Sequence, residues 1–178
     1  MRVLAISGSL RAASSNSAIL RAAVRVSPPD VHLHLHDGLD ALPYFNPDLD
    51  RTLDDPLLPP AVRGFRAQVA AADAVIISSP EYAHGISGLM KNALDWLVGG
   101  PEMVGKRVAF INTSPHAVHG IAALAETLRT MSVALVDDAC VTIAVPRGMT
   151  DDALAREPAI VQALDHSLRR LASTVATS

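Results

Sequence analysis

The sequence predicts an α/β protein with a mostly parallel sheet that helices cover on both sides. Short apolar runs, typical of strands buried on both faces, alternate along the chain with longer segments whose apolar residues recur at helical spacing. This alternation gives five strands and five helices, and strands linked by helices form right-handed crossovers within one sheet. The 178 residues suit one domain, which we expect to span residues 1–178.

The strand predictions rest on apolar runs that end at glycine, proline or polar residues. Three such runs occupy residues 3–6, 74–77 and 108–111. Val31–His36 alternates apolar and polar residues, which predicts a strand with two different faces at a sheet edge. Val141, Ile143 and Val145 predict a fifth strand, which Pro146 ends.

The helix predictions rest on apolar residues three and four positions apart. The clearest segment runs from Ile86 to Leu97, where the apolar residues follow helical spacing without a miss. Four other segments share this spacing: 19–24, 62–69, 121–131 and 161–175. Pro28 follows the first helix, and Pro158 is tolerated in the first turn of the last. Residues 37–60 are proline-rich and predict a long surface loop.

Composition and charge limit the class of protein. The 15 Lys and Arg against 18 Asp and Glu leave a net charge of −3, which predicts neither nucleic-acid nor membrane binding. The single cysteine, Cys140, excludes an internal disulfide, and we expect a buried apolar residue rather than a redox thiol. No apolar run is long enough for a spanning helix, and the N-terminus does not resemble a signal peptide. We therefore expect a cytoplasmic protein.

Polar loops follow three of the predicted strands, and the first loop, Gly8–Ser17, predicts a phosphate site. Ligands of such sheets bind outside the carboxyl ends of the strands. This loop combines small hydroxyl residues with Arg11 at the start of a helix, where free N–H groups bind anions. It lacks both the Walker A lysine and the three glycines of a dinucleotide fingerprint, which favours a terminal monophosphate. The alternative is that Ser14, Ser15 and Asn16 are only helix caps.

The second and third loops are less specific. The second loop, Ser78–Gly88, is rich in small residues, which lets the backbone approach a flat ligand closely. Its Glu81 and His84 suggest an acid–base pair, although two titratable side chains in one loop commonly occur by chance. The third loop, Asn112–Gly120, is polar and precedes a helix, and by itself an ordinary turn with a serine cap explains it equally well.

Two motifs begin in these loops. The first is moderately specific for a protein family, and the second is long and specific. One is Gly8-Ser9-Leu10-Arg11 with Ser14 and Asn16, and the other is Pro80-Glu81-Tyr82 followed by GLMKNALDW over residues 88–96. They resemble the NAD(P)H-dependent FMN reductase family of flavodoxin-like proteins, which includes quinone, azo-dye and chromate reductases. The resemblance implies a three-layer α/β/α sandwich with a five-stranded parallel sheet of order 2-1-3-4-5. It also implies non-covalently bound FMN, NADPH or NADH as co-substrate, and a homodimer or homotetramer.

The resemblance implies roles for individual residues. The flavin phosphate would be held by residues of the first loop: Ser9, Arg11, Ser14, Ser15, Asn16 and Ser17. The isoalloxazine ring would be lined by residues of the second loop: Pro80, Glu81, Tyr82, Ala83, His84 and Gly85. Ser114 and its neighbours would contact the pyrimidine side of the ring. No protein side chain is implied to be a catalytic residue, and no metal is implied.

The implied activity is a ping-pong reaction in which hydride passes from nicotinamide to FMN and then to a quinone, azo, metal-oxyanion or free-flavin acceptor. Backbone N–H groups of the third loop and the dipole of the next helix would stabilise negative charge on the ring. The sequence departs from the family pattern at three places that bear on acceptor access: Ala83 replaces Asn, Gly85 and Ser87 replace Ser and Pro, and His116-Ala117 replace glycines.

Two other functions stay open from the sequence. One is a non-catalytic electron carrier of the flavodoxin type, and the other is a binder of a different phosphorylated ligand. Flavodoxin-like carriers are usually strongly acidic, so the mild net charge of −3 favours the enzyme. His32, His34 and His36 share one strand face, where imidazoles can coordinate zinc, copper or nickel. We prefer the interpretation of an edge strand without a metal.

Overall fold

The protein is a three-layer α/β/α sandwich in a computed structural model that describes residues 1–173. Its strands are β1 (Arg2–Ser7), β2 (His32–Leu35), β3 (Ala74–Ser78), β4 (Glu81–Tyr82), β5 (Gly85–Ile86), β6 (Arg107–Asn112), β7 (Ala134–Leu135) and β8 (Val141–Thr142). Its α-helices are α1 (Ser15–Val26), α2 (Pro60–Ala71), α3 (Gly88–Val98), α4 (Val118–Thr130), α5 (Asp151–Leu154) and α6 (Pro158–Ala172). Val175, which belongs to the last predicted helix, lies outside the described residues.

The sheet is parallel and has the order β2-β1-β3-β6, with β7 and β8 both paired to β6. This order confirms the predicted arrangement 2-1-3-4-5, except that two short strands share the fifth position. A 3₁₀ turn over Asp137–Ala139 separates β7 from β8. Ser167 of α6 donates a hydrogen bond to the carbonyl of Ala139 at 2.6 Å, which holds this turn on α6. The single fifth strand predicted over 141–145 is therefore wrong in extent.

Strand side chains alternate between two hydrophobic cores. Leu4 and Ile6 of β1 pack with α2, α3 and α4, whereas Val3 and Ala5 pack with α1 and α6. All five residues of β3 are buried. The interpretation of these runs as strands that are apolar on both faces is therefore confirmed, because a helix layer covers each side of the sheet.

Residues 37–60 are irregular, as expected, but part of the segment lies in the core. Leu39, Leu42 and Leu58 are buried. Trp96 of α3 donates its indole N–H to the carbonyl of Pro43 at 2.8 Å. The prediction of a surface loop is wrong for these residues, because three separated leucines carry no period that the sequence would reveal.

Strand β2 is an edge strand, as its alternation predicted. His32 and His34 are exposed, whereas His36 is buried, with its ring 4.9 Å from that of Phe65. The Nδ1 atom of His36 forms a hydrogen bond of 3.0 Å with the side chain of Gln68. The three histidines therefore do not share one environment, and residues 1–173 contain no cluster of three potential metal ligands.

The structure bears on the predicted role of Cys140. Burial raises the pKa of the Cys140 thiol to about 11, so the thiol stays protonated near neutral pH. This agrees with a packing role rather than a redox role.

Within the part of the chain that the structure describes, no helix combines the length and the apolar character needed to cross a membrane.

Candidate functional site

The main cavity of the molecule lies at the carboxyl ends of the parallel strands. It has a volume of about 540 Å³, within the usual range of small-molecule sites. The loops after β1, β3, β6 and β8 line it with Ser9, Arg11, Ser14, Ser15, Asn16, Pro80, Tyr82, Thr113, Ser114, Pro115, His116, Ala144, Val145, Pro146 and Arg147. None of these lining residues is Asp or Glu, so the cavity wall carries positive but no negative side chains.

The first loop presents its donors to the cavity from the N-terminus of α1. Ser14 caps this helix, since its Oγ accepts the N–H of Ser17 at 3.3 Å. The first intrahelical bond runs from the N–H of Ala18 to the carbonyl of Ser14. The N–H groups of Ser15 and Asn16 precede that bond and are therefore open to a ligand. The capping alternative is thus correct for Ser14, and it does not conflict with anion binding.

Asn16 joins the first loop to the other two. Its Oδ1 atom accepts hydrogen bonds from the hydroxyls of Ser78, at 2.9 Å, and Thr113, at 3.3 Å. These contacts fix the amide, so that its Nδ2 group, which has no partner within residues 1–173, is available to a ligand in the cavity. Asn16 is only 6% exposed, but its Nδ2 atom is not among the fully buried polar atoms without a partner, so this donor can be reached from the cavity.

Ser17 is the one residue of the predicted phosphate set that does not line the cavity. Its hydroxyl forms a hydrogen bond of 2.8 Å with the hydroxyl of Ser7, between α1 and β1. The side chain therefore ties the helix to the first strand. The other five residues of that set, Ser9, Arg11, Ser14, Ser15 and Asn16, surround the cavity together.

The second loop folds into a small antiparallel hairpin, β4–β5. Pro80 and Tyr82 line the cavity, whereas Glu81, Ala83, His84 and Gly85 do not. The Oε2 atom of Glu81 accepts the backbone N–H of Gly120 at 2.6 Å, in the first turn of α4. A carboxylate at a helix N-terminus is stabilised by the helix dipole, so Glu81 positions α4.

His84 does not contact Glu81 as an acid–base pair would. Its ring instead stacks on that of His119, with ring centres 4.2 Å apart. Ser87, one of the departures from the family pattern, caps α3 by accepting the N–H of Met90. Its hydroxyl also donates to the carbonyl of Gly8 at 2.7 Å, so it holds the second loop against the first.

Four N–H groups of the third loop already have partners within the protein. Those of Ser114 and His116 donate to the side chains of Asn112 and Ser114, and that of Ala117 donates to the carbonyl of Ser114. The N–H of Gly120 is bound by Glu81. These four N–H groups therefore already have acceptors in the protein, and the stabilisation of charge on a bound ring by the third loop stays a prediction.

Sequence reasoning missed the fourth wall of the cavity, Ala144–Arg147, which follows β8. The N–H of Val145 donates to the carbonyl of Thr113 at 3.2 Å, which places this segment beside the third loop. One signal was present in the sequence: Pro146-Arg147-Gly148 directly follows a predicted strand, at the end where ligands bind.

The chemistry of this donor set fits the phosphate of FMN. A guanidinium, three serine hydroxyls, an amide N–H and the N-terminus of α1 converge on one cavity. Each of these groups donates hydrogen bonds to an anion, and the wall has no carboxylate that would repel one. A doubly wound sheet with such a cavity at its switch point defines the class as a flavodoxin-like α/β protein.

The chain belongs to the NADPH-dependent FMN reductase family, whose sequence model matches residues 1–144. This confirms the resemblance seen in the motifs. An NAD(P)H-dependent FMN reductase of Pseudomonas aeruginosa is 40% identical over 116 residues, 64% of this chain and 60% of that protein. A probable NADPH:quinone oxidoreductase 2 of Oryza sativa is 44% identical over 113 residues, 62% of this chain and 54% of that protein. The matched region thus spans little more than half of these relatives.

Solved structures show the same fold. The flavoenzyme NAD(P)H:(acceptor) oxidoreductase FerB of Paracoccus denitrificans superposes with a TM-score of 0.70. The alignment covers 96% of each chain at 24% identity. At this level of identity the likeness establishes the fold, which agrees with the predicted flavodoxin-like sandwich.

Proposed function

We propose that this protein is an FMN-dependent NAD(P)H oxidoreductase that transfers electrons to a small-molecule acceptor of the quinone, azo, metal-oxyanion or free-flavin class. Family membership supports this proposal, and so do the activities for which the relatives are named. We also propose one domain over residues 1–178 from the chain length, a cytoplasmic location from the sequence features, and a homodimer or homotetramer from the family resemblance.

The observation that carries the proposal is the convergence of phosphate donors on a cavity without acidic residues. The guanidinium of Arg11 makes no ion pair within residues 1–173 and lines this cavity. The N-terminus of α1 adds partial positive charge at the same place. Together with the amide of Asn16, these groups bind the phosphate and anchor the cofactor.

The other walls of the cavity position the remainder of the ligand. When bound, FMN supplies the redox chemistry, since it accepts hydride from a nicotinamide and passes two electrons to the acceptor. Pro80, Tyr82 and the third loop line the cavity beside the phosphate donors, where a flat ring system would lie. Tyr82 is 59% exposed, so this side of the cavity is open to a second substrate.

The proposal is tested by titrating the purified protein with FMN and following oxidation of NADPH and NADH with a quinone. We expect FMN binding and turnover above that of free FMN. The Arg11→Ala variant is expected to lose about 1.5–3 kcal/mol of FMN binding free energy, the range for a hydrogen bond to a charged group. Arg156→Ala is the matched control, because Arg156 is exposed and pairs with Asp152 outside the cavity.

Each contrary outcome has a distinct meaning. A protein that takes up no FMN contradicts the proposal and favours another phosphorylated ligand. A protein that binds FMN but does not exceed free FMN in turnover is a carrier of the flavodoxin type.

A further inference from the structure

The segment after β8 brings a second arginine to the main cavity. Arg147 lines the cavity together with Arg11, from a part of the chain that lies beyond the family match of residues 1–144. The family motifs therefore assign no role to Arg147.

Several contacts hold this segment beside the first loop. Gly148 has a φ of 78°, which turns the chain directly after Arg147. Asp151 of α5 accepts a hydrogen bond of 2.8 Å from Arg25 of α1, and Leu154 is fully buried. A smaller cavity of about 240 Å³ lies between Ala12–Ser14 of the first loop and residues 148–151. The segment therefore runs along the phosphate donors and not only along the third loop.

Within residues 1–173, the guanidinium of Arg147 forms no ion pair. Most other arginines bind a carboxylate or a backbone carbonyl, such as Arg25 on Asp151 and Arg66 on Glu102. Arg11 and Arg147 make no ion pair within the described residues, and no acidic residue lines the cavity that they share. Two unpaired guanidinium groups facing one cavity indicate an anionic ligand with more than one charge.

We propose that Arg147 is a second arginine for the cofactor phosphate and acts together with Arg11; this inference rests on the proposed function. A phosphate monoester carries close to two negative charges at neutral pH. The N-terminus of α1 contributes roughly half a positive charge, so one arginine leaves the dianion only partly neutralised. Arg147 supplies the remaining charge from the segment after β8, which lies beside the first loop.

The test compares FMN with riboflavin, which has the same ring system and no phosphate. Dissociation constants are measured by flavin fluorescence for the wild type, Arg147→Ala, Arg147→Lys and the control Arg156→Ala. We expect Arg147→Ala to bind FMN about tenfold or more weakly, the effect of losing one charged hydrogen bond, and to bind riboflavin as the wild type does. Arg147→Lys keeps the positive charge, so we expect it to bind FMN more tightly than Arg147→Ala and more weakly than the wild type. Arg156→Ala is expected to change neither the FMN nor the riboflavin dissociation constant.

Other results overturn the inference. An unchanged FMN constant in Arg147→Ala, with a higher KM for NADPH, would assign Arg147 to an anionic second substrate. Equal weakening of FMN and riboflavin would show that the residue only supports the fold, which the thermal unfolding of the flavin-free variant would also report. If the wild type itself bound neither flavin, the proposed function would fail and this inference with it.

Discussion

Gly8 sets how closely the first loop approaches the second. A Cβ atom at this position would lie 2.5 Å from the Oγ of Ser79 and 3.0 Å from the Oγ of Ser87. The N–H of Gly8 donates to the carbonyl of Ser78, and its own carbonyl accepts the hydroxyl of Ser87. The two walls of the cavity therefore meet at a residue without a side chain.

Gly8→Ala is expected to lower the free energy of unfolding by about 1–3 kcal/mol, because the methyl group overpacks a closed contact. Urea denaturation measures this change. Gly64→Ala is the control, since a Cβ at Gly64 has no neighbour within 4 Å on helix α2. That substitution is expected to raise stability by roughly 0.5–1 kcal/mol. Equal stability of the two variants would show that the close approach at Gly8 does not exist.

Ala83 and His84 form the turn of the β4–β5 hairpin with φ values of 49° and 60°. Positive φ at both central residues is the requirement of a type I′ turn, which Asn and Gly satisfy best. Because the left-handed region costs an L-residue about 1 kcal/mol, Ala83→Asn is expected to stabilise the protein by up to that amount and Ala83→Val to destabilise it. Urea denaturation of both variants checks the order. If valine were tolerated as well as asparagine, the turn would not have positive φ.

At the scale of elements, the short helix α5 depends on its attachment to α1. Arg25 donates a hydrogen bond to Asp151, and this bond lowers the pKa of the Asp151 carboxyl below its usual value. A pKa that is lower in the folded chain than in the unfolded chain means that the ionised form of the group stabilises the fold. The hydrogen bond from Arg25 therefore favours the ionised carboxylate of Asp151.

The stabilising effect of Asp151 is expected at neutral pH and is lost as the pH falls through the lowered pKa. The measurement is the difference in free energy of unfolding between the wild type and Asp151→Asn, followed from pH 7 to about pH 3. Asp152→Asn is the control, because it removes the same charge from α5 at a residue that does not contact Arg25. A difference for Asp151→Asn that stayed constant with pH would show that the Arg25 contact adds no stability.

At the scale of the whole molecule, Arg66 joins three separated segments. Its guanidinium donates two hydrogen bonds to Glu102 near the end of α3 and others to Asp50 and the carbonyl of Arg51 in the 37–60 segment. Arg66 and Glu102 are almost fully buried. The long irregular segment is thus held to helix α2 by a buried ionic network.

Arg66→Met is expected to lower the free energy of unfolding by about 3–5 kcal/mol, because it leaves the buried carboxylate of Glu102 without its partner. Arg156→Met is the control, because it makes the same substitution at an exposed arginine. It is expected to change the free energy of unfolding by no more than about 0.5 kcal/mol. Both values come from urea denaturation. Similar effects of the two substitutions would contradict a buried network around Arg66.

Local pattern carried much of the information about the fold. The runs of β1, β3 and β6 and the spacing of α3 were predicted because each depends on residues that are close in the sequence. The residues from Ser9 to Asn16 that line the cavity were also predicted, since hydroxyls and an arginine at a helix start form an anion site by themselves. Strand β7 was missed and the extent of β8 was predicted too long, because a two-residue strand has no measurable period.

The sequence by itself determined that this chain forms a doubly wound sheet with a phosphate-type loop after its first strand. Tertiary structure decided which side chains reach that loop. Glu81 binds Gly120, 39 residues away, and so positions α4 instead of lining the cavity. Arg147 lines the same cavity as Arg11 only because β8 ends beside β6 and α5 packs on α1. Such contacts connect residues that are distant in the chain, and the local spacing of residues in the sequence does not predict them.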